Sequence, residues 1–157
     1  MSNLFASIHD IDTRLIDTLI ETLKDGEAGF RAAADDVSNV GLKSIFHHYS
    51  GQRHQFASEL QKFVVQEGET PETGGTLAGA AHRGWMSIKA TVAMRADNAV
   101  LEECERGEDS AIATFHDALM GGKLGGAADS VSRQINHIRE AHQHVRALRN
   151  QYRSHSS

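Results

Sequence analysis

Glu27 and Glu108 are the residues whose placement most demands a chemical explanation. Each directly follows a glycine, and each stands on the apolar stripe of a long helical pattern. Ile20, Leu23, Phe30 and Ala34 lie at −7, −4, +3 and +7 from Glu27, and Leu101, Cys104, Ala111 and Phe115 stand at the same offsets from Glu108. A buried carboxylate without a partner is strongly unfavourable or neutralises itself, so both need partners from other helices. Either a metal ion or a set of cationic side chains would supply them. The other polar residues that fall in core phase are Arg53, at +4 from Tyr49 and −3 from Phe56, and His142, at +4 from Ile138 and −3 from Val145, with Arg139 three before it.

The elements that must position these groups read as long helices. Apolar residues recur with helical period over about 11–36, with Asp10 or Asp12 as N-cap, and again over about 40–67 after the break Ser38-Asn39-Val40-Gly41. A short connection makes the two antiparallel neighbours. The stretch 68–75 is a loop, 76–93 a further helix of small residues, 96–120 and 130–152 two more long helices joined by a glycine-rich loop. The segment between the second long helix and the third is too long for a simple turn. Its own helix, roughly 25 Å at about 1.5 Å per residue, has the length of a return crossing along the bundle. The expected fold is therefore all-α: a single domain over 1–157 built as a four-helix bundle, with a long crossover that makes the second and third long helices parallel. Superposing Gly26 on Gly107 also places Ile20 on Leu101 and Ala32 on Ala113, as two equivalent helical hairpins require.

Composition narrows the function classes. A net charge of −5 and an isoelectric point near 6.0 disfavour a nucleic-acid binder held by phosphate neutralisation. Apolar runs fall short of the roughly 18 residues of a membrane span, and the first residues lack the basic start and apolar stretch of a signal peptide, so the expectation is a cytoplasmic protein with no membrane partner. Cys104 reads as a small buried hydrophobe. His47, His48 and His54, and His137 with His144, have spacings that allow one helical face, but the face is polar and they read as solvated rather than as zinc ligands. Glu102, Glu103 and Glu105 face the arginine-rich last helix and read as surface charge pairing.

Four segments carry a resemblance: Asp25-Gly26-Glu27-Ala28-Gly29-Phe30, Gln55-Phe56-Ala57-Ser58-Glu59-Leu60, His82-Arg83-Gly84-Trp85-Met86, and Leu101 to Asp109. Over roughly Leu15 to Arg149 the chain resembles an uncharacterised bacterial family of ferritin-like four-helix-bundle proteins with a domain of unknown function. The resemblance implies the ferritin-like fold. In that superfamily the active members bind two irons through a lone Glu on the first and third helices and Glu-x-x-His on the second and fourth.

Held against that pattern, Glu27 and Glu108 match the lone glutamates, the second helix offers Ser50-x-x-Arg53 and the fourth Arg139-x-x-His142. Both bridging glutamates and one histidine are absent, and arginine, always protonated, repels a metal rather than ligating it. Geometry along the helices favours pairing. Glu108 and His142 each lie about 12 residues from their connecting loop, and Glu27 and Arg53 lean toward each other across theirs. The expected site is a polar core network of Glu27, Arg53, Glu108, Arg139 and His142, with no catalytic residue and no metal. The alternative is a reduced iron site on Glu27, Glu108 and His142. The corresponding function is a non-enzymatic interaction or assembly protein with an unknown protein partner or self-association. Its alternative is an iron-binding or redox bundle.

Overall fold

The computed structural model describes residues 11–73 and 96–155, and the predicted helix over 76–93 lies outside them. Four long helices make up the described fold: α1 (Thr13–Asp36), α2 (Val40–Gln66), α3 (Asp97–Gly121) and α4 (Ala128–His155), the last entered through a single 3-10 turn at Gly125–Ala127. Asp12 caps α1, its carboxylate accepting from Arg14 N at 3.0 Å and Leu15 N at 3.3 Å, and Asn39 caps α2 by accepting from Leu42 N at 3.0 Å. Both satisfy backbone donors that the first turn leaves open. Gly122 closes α3 at φ 68°, a left-handed conformation that glycine adopts without strain.

The direction of each helix follows from contacts at the two ends of the bundle. Asp97, at the start of α3, accepts from Ser38 N at 2.9 Å and Asn39 N at 3.1 Å in the α1–α2 turn. At the opposite end Asp12 N donates to Lys123 O at 2.8 Å, and Ile11 forms a bridge with Leu124. α2 and α3 thus start at the same end and run parallel, as the crossover reading expects. α1 packs on α2, α3 on α4 and α1 on α3, whereas α2 and α4 touch only sparsely; α2 and α3 stand diagonally opposite across the bundle.

The core divides into two apolar clusters. One gathers Ile16, Leu19, Ile20, Leu60, Phe115, Val131 and Ile138 toward the α3–α4 turn, and the other gathers Phe30, Phe46, Tyr49, Leu101, Cys104 and Val145 toward the α1–α2 turn. Between them lies a layer that holds Gly26, Ser50, Arg53 and Glu108, all buried. Polar groups in mid-core have to satisfy one another, and how they do so defines the site.

Candidate functional site

Arg53 is 1% exposed and Glu108 0% exposed. On α2 the buried residues Phe46, Tyr49, Phe56, Ala57 and Leu60 straddle Arg53, and on α3 Leu101, Cys104, Ala111 and Phe115 straddle Glu108, so each points along the centre of its helix's inward face. The two meet fork to fork. Arg53 Nη1 donates to Glu108 Oε1, and Nη2 donates to Oε2 at 2.7 Å. This bidentate pairing is the strongest geometry open to two ionised side chains, and it reaches from one diagonal helix to the other through the middle of the bundle. The Phe30 ring lies 5.3 Å from the guanidinium carbon and offers its π face to the cation. A Cβ added at Gly26 would stand 3.5 Å from Arg53 Cγ and 3.6 Å from Nη1, so the arginine side chain lies against the bare backbone of α1 at that point.

Glu27 is satisfied elsewhere, and the expectation that it pairs with Arg53 is corrected. Its carboxylate accepts from Lys24 Nζ at 2.7 Å and Arg31 Nη2 at 3.0 Å and lies 3.2 Å from His54 Nδ1. Burial pushes Glu27 up, but Lys24 and His54 more than offset this and hold its carboxyl below the usual carboxylate range. The physical reason is the width of the buried face of α1, which includes Thr22, Asp25, Gly26 and Gly29 beside the apolar stripe. Gly26 faces the centre, and Glu27 sits on the flank beside the α1–α2 seam. His54, read from sequence as merely solvated, is the partner that seam supplies.

His142 does not reach Glu108. Its Nε2 lies 2.7 Å from Asp109 Oδ1 and 4.0 Å from Glu105 Oε1, one turn apart on α3. Arg139 is exposed and takes no part in the core. One residue after the inward Ile138, it is swung about 100° round the helix, which puts it on the flank of α4. Glu105, read as a surface charge, is buried and held by Arg149, with Arg146 Nε at 3.5 Å. Its neighbour Glu102 accepts from Arg153 at 3.0 Å on the exposed side. The expected five-membered network is in fact three separate clusters: Arg53–Glu108 in the centre, Glu27 on the α1–α2 seam, and His142 with Asp109 and Glu105 on the α3–α4 seam.

Two further buried groups face the central pair. Tyr49 Oη and His144 Nδ1 are 2.6 Å apart, and burial with the nearby Glu108 charge raises the phenol above its ordinary range. Burial, then Glu108 and Glu103, push the Cys104 thiol well up, which leaves it a protonated and unreactive core residue.

A family model described as a domain of unknown function (DUF2383) matches residues 13–121, more than half of the chain. The chain belongs to the DUF2383 family. The matched segment of that family runs from the first residue of α1 to the last of α3, so it contains Gly26, Glu27, Arg53 and Glu108 and leaves out Arg139 and His142. No curated protein matches the sequence. Among solved structures the chain is similar to the bacterioferritin-related protein from Bacteroides fragilis, described as a dodecameric thioferritin, with 14% identity, 99% of this chain and 96% of that chain covered, and a TM-score of 0.72. At that identity the likeness shows the fold alone, a ferritin-like four-helix bundle.

The fold therefore raises the question of a two-iron centre, and the donor set does not fit one. Both oxygens of Glu108 accept from Arg53, and those of Glu27 face three other side chains. Among the described residues no three His, Cys, Asp or Glu converge as a metal-binding group.

Proposed function

We propose that this DUF2383 protein is a non-enzymatic ferritin-like bundle that works through interaction or self-assembly, with an ion pair standing where such bundles place metal. The reading rests on one observation: the Arg53 guanidinium occupies both carboxylate oxygens of Glu108 at the centre of the bundle, in full burial. A bound cation would have to displace a bidentate pair and sit beside a permanent positive charge. The likeness to a protein described as dodecameric supports self-association as the mode of action. No helix among the described residues is long and apolar enough to cross a membrane, which is compatible with the cytoplasmic location proposed here.

The competing reading is an iron-handling bundle with a reduced site on Glu27, Glu108 and His142, favoured by the likeness to a protein described as a thioferritin. The division of these three residues among separate clusters weighs against it. Anaerobic titration with Fe(II), and in parallel Zn(II), followed by calorimetry, separates the two. The ion-pair reading expects no saturable event. A stoichiometric event of micromolar affinity or tighter, lost in Glu108→Gln, would establish the metal reading instead. Light scattering after size exclusion tests the assembly half of the proposal, which a strictly monomeric protein with no partner in its host would defeat.

A further inference from the structure

The seam between α2 and α4 is clasped at two points and open between them. At one, Tyr49 meets His144; at the other, Gln134 Nε2 donates to Phe56 O at 3.3 Å and to Glu59 Oε2 at 3.1 Å, beside an Arg133–Glu59 ion pair. Between the clasps lies a cavity of about 420 Å³ whose lining includes His48, Gly51, Gln52, Gln55 and Phe56 of α2 and His137 of α4. That volume is in the range of small-molecule sites. Among the described residues, no Lys, Arg, Asp or Glu lines it. The described residues that line the cavity on the α3–α4 face, by contrast, are all carboxylate and guanidinium side chains, Glu105 and Arg149 among them.

Gly51 is what the fold leaves unexplained. It stands in the interior of α2, where alanine is preferred, and a Cβ there would meet nothing within 4 Å among the described residues. No packing among the described residues requires its absence. What the bare backbone does provide is a flat floor for the cavity. One wall is aromatic: the half-exposed His137 ring, backed at 5.8 Å by the buried Phe56, over whose ring the Arg133 guanidinium lies. Gln52 and Gln55, three residues apart and so neighbours on the helix surface, each carry a donor amide and an acceptor carbonyl.

A metal ion is the wrong occupant. Three histidines line the cavity, His47, His48 and His137. His48 lies beside Tyr49 and His137 beside Phe56, so His137 stands roughly 10 Å or more along the helix axis from the other two at about 1.5 Å per residue, and among the described residues no three His, Cys, Asp or Glu group as a metal site. An uncharged cavity with a flat floor, an aromatic wall and a mixed donor–acceptor edge suits a planar molecule.

We propose that the α2–α4 cavity binds a neutral planar nitrogen heterocycle of nucleobase to isoalloxazine size, stacked against the His137 ring and recognised at its edge by Gln52 and Gln55. This site is independent of the ion-pair reading. Gln52 Oε1 lies 3.4 Å from Arg53 Nε, so an occupant that engages Gln52 is felt at the central pair.

The test is calorimetric titration of the full chain with adenosine, guanosine and riboflavin, each to about 1 mM or its solubility limit. At least one is expected to saturate at one per chain, to bind at least tenfold more weakly to Gln55→Ala and His137→Ala, and to be lost in Gly51→Leu, which fills the floor while keeping a helix-forming residue. Thermal melts establish that the variants fold. The arm that binds distinguishes a nucleobase from a flavin. Absence of saturation with all three, or binding that survives Gly51→Leu, overturns the proposal.

Discussion

Arg53 and Glu108 lie at nearly the same height on two parallel, diagonally opposite helices that begin at the same end of the bundle. Arg53 is 13 residues into α2 and Glu108 is 11 into α3, counted from Val40 and Asp97, an axial difference of about 3 Å at about 1.5 Å per residue. The pair is therefore set by the crossover topology and not by either hairpin. Its two charges are worth little net against well-packed apolar replacements, but each is costly to strand alone. Arg53→Met should lose about 3–5 kcal/mol in urea unfolding, while Arg53→Met combined with Glu108→Leu should recover most of that loss. Adding Glu27→Leu in place of Glu108→Leu should recover nothing. Recovery with the Glu27 variant would mean that the partner has been misassigned.

The inward placement of Arg53 and Glu108 is legible in the sequence because helical phase alone determines it, and the helix bounds follow from caps and glycines to within a few residues. Partner choice is not a matter of phase. The pairing could have been found by counting both residues from the shared end of α2 and α3, but comparing residues only within hairpins leads to Glu27–Arg53 and Glu108–His142. Arg139 fails for a different reason: a residue three positions before an inward one can sit on either edge of a buried stripe, and the stripe of α4 is centred near Ile138, Ala141 and Val145. The breadth of the buried face on α1, which moves the centre from Glu27 to Gly26, depends on tertiary packing that periodicity does not report.

Glu27 should give the fold an acid-sensitive contribution. Its carboxyl is held below the ordinary value of 4.5 in the folded protein, so the unfolded chain binds more protons through that window and stability rises with pH there. The contribution is complete above 4.5 and disappears as pH falls through the lower folded value. The stability difference between the wild type and Glu27→Gln, measured by chemical unfolding from pH 7 to pH 3, should therefore be largest at neutral pH and shrink below 4.5. A difference independent of pH would show that the Lys24 and His54 contacts do not favour the ionised form.

Glu21 should behave with the opposite sign. Burial, then the charges of Glu72, Asp25 and Asp17, raise its carboxyl above 4.5, so the folded state binds the extra proton and loses stability as pH rises through the shifted value. Glu21→Gln is expected to raise Tm at pH 7 and to have no advantage at pH 4 and below. Glu72→Gln should give a gain in the same direction, because it removes the strongest like charge. Equal melting temperatures for the wild type and Glu21→Gln at pH 7 would count against repulsion in this cluster.

Gly26 offers a test of how closely Arg53 lies on α1. An added methyl would meet the arginine at ordinary van der Waals distance, 3.5 Å, so Gly26→Ala fits without displacing the side chain and removes the conformational freedom that glycine brings to a helix interior. The expected result is a neutral change or a gain of up to about 1 kcal/mol. Gly26→Leu cannot be accommodated in the same way, because the longer side chain needs the volume filled by the Arg53 stem and guanidinium. Moving that group off Glu108 would strand a buried carboxylate, at a cost of about 3–5 kcal/mol. Gly26→Leu should be largely rescued by Arg53→Ala with Glu108→Leu, which frees the volume and removes the charge together. Failure of that triple variant to regain stability, measured by calorimetric melting, would show that Gly26 is required by something other than the arginine lying over it.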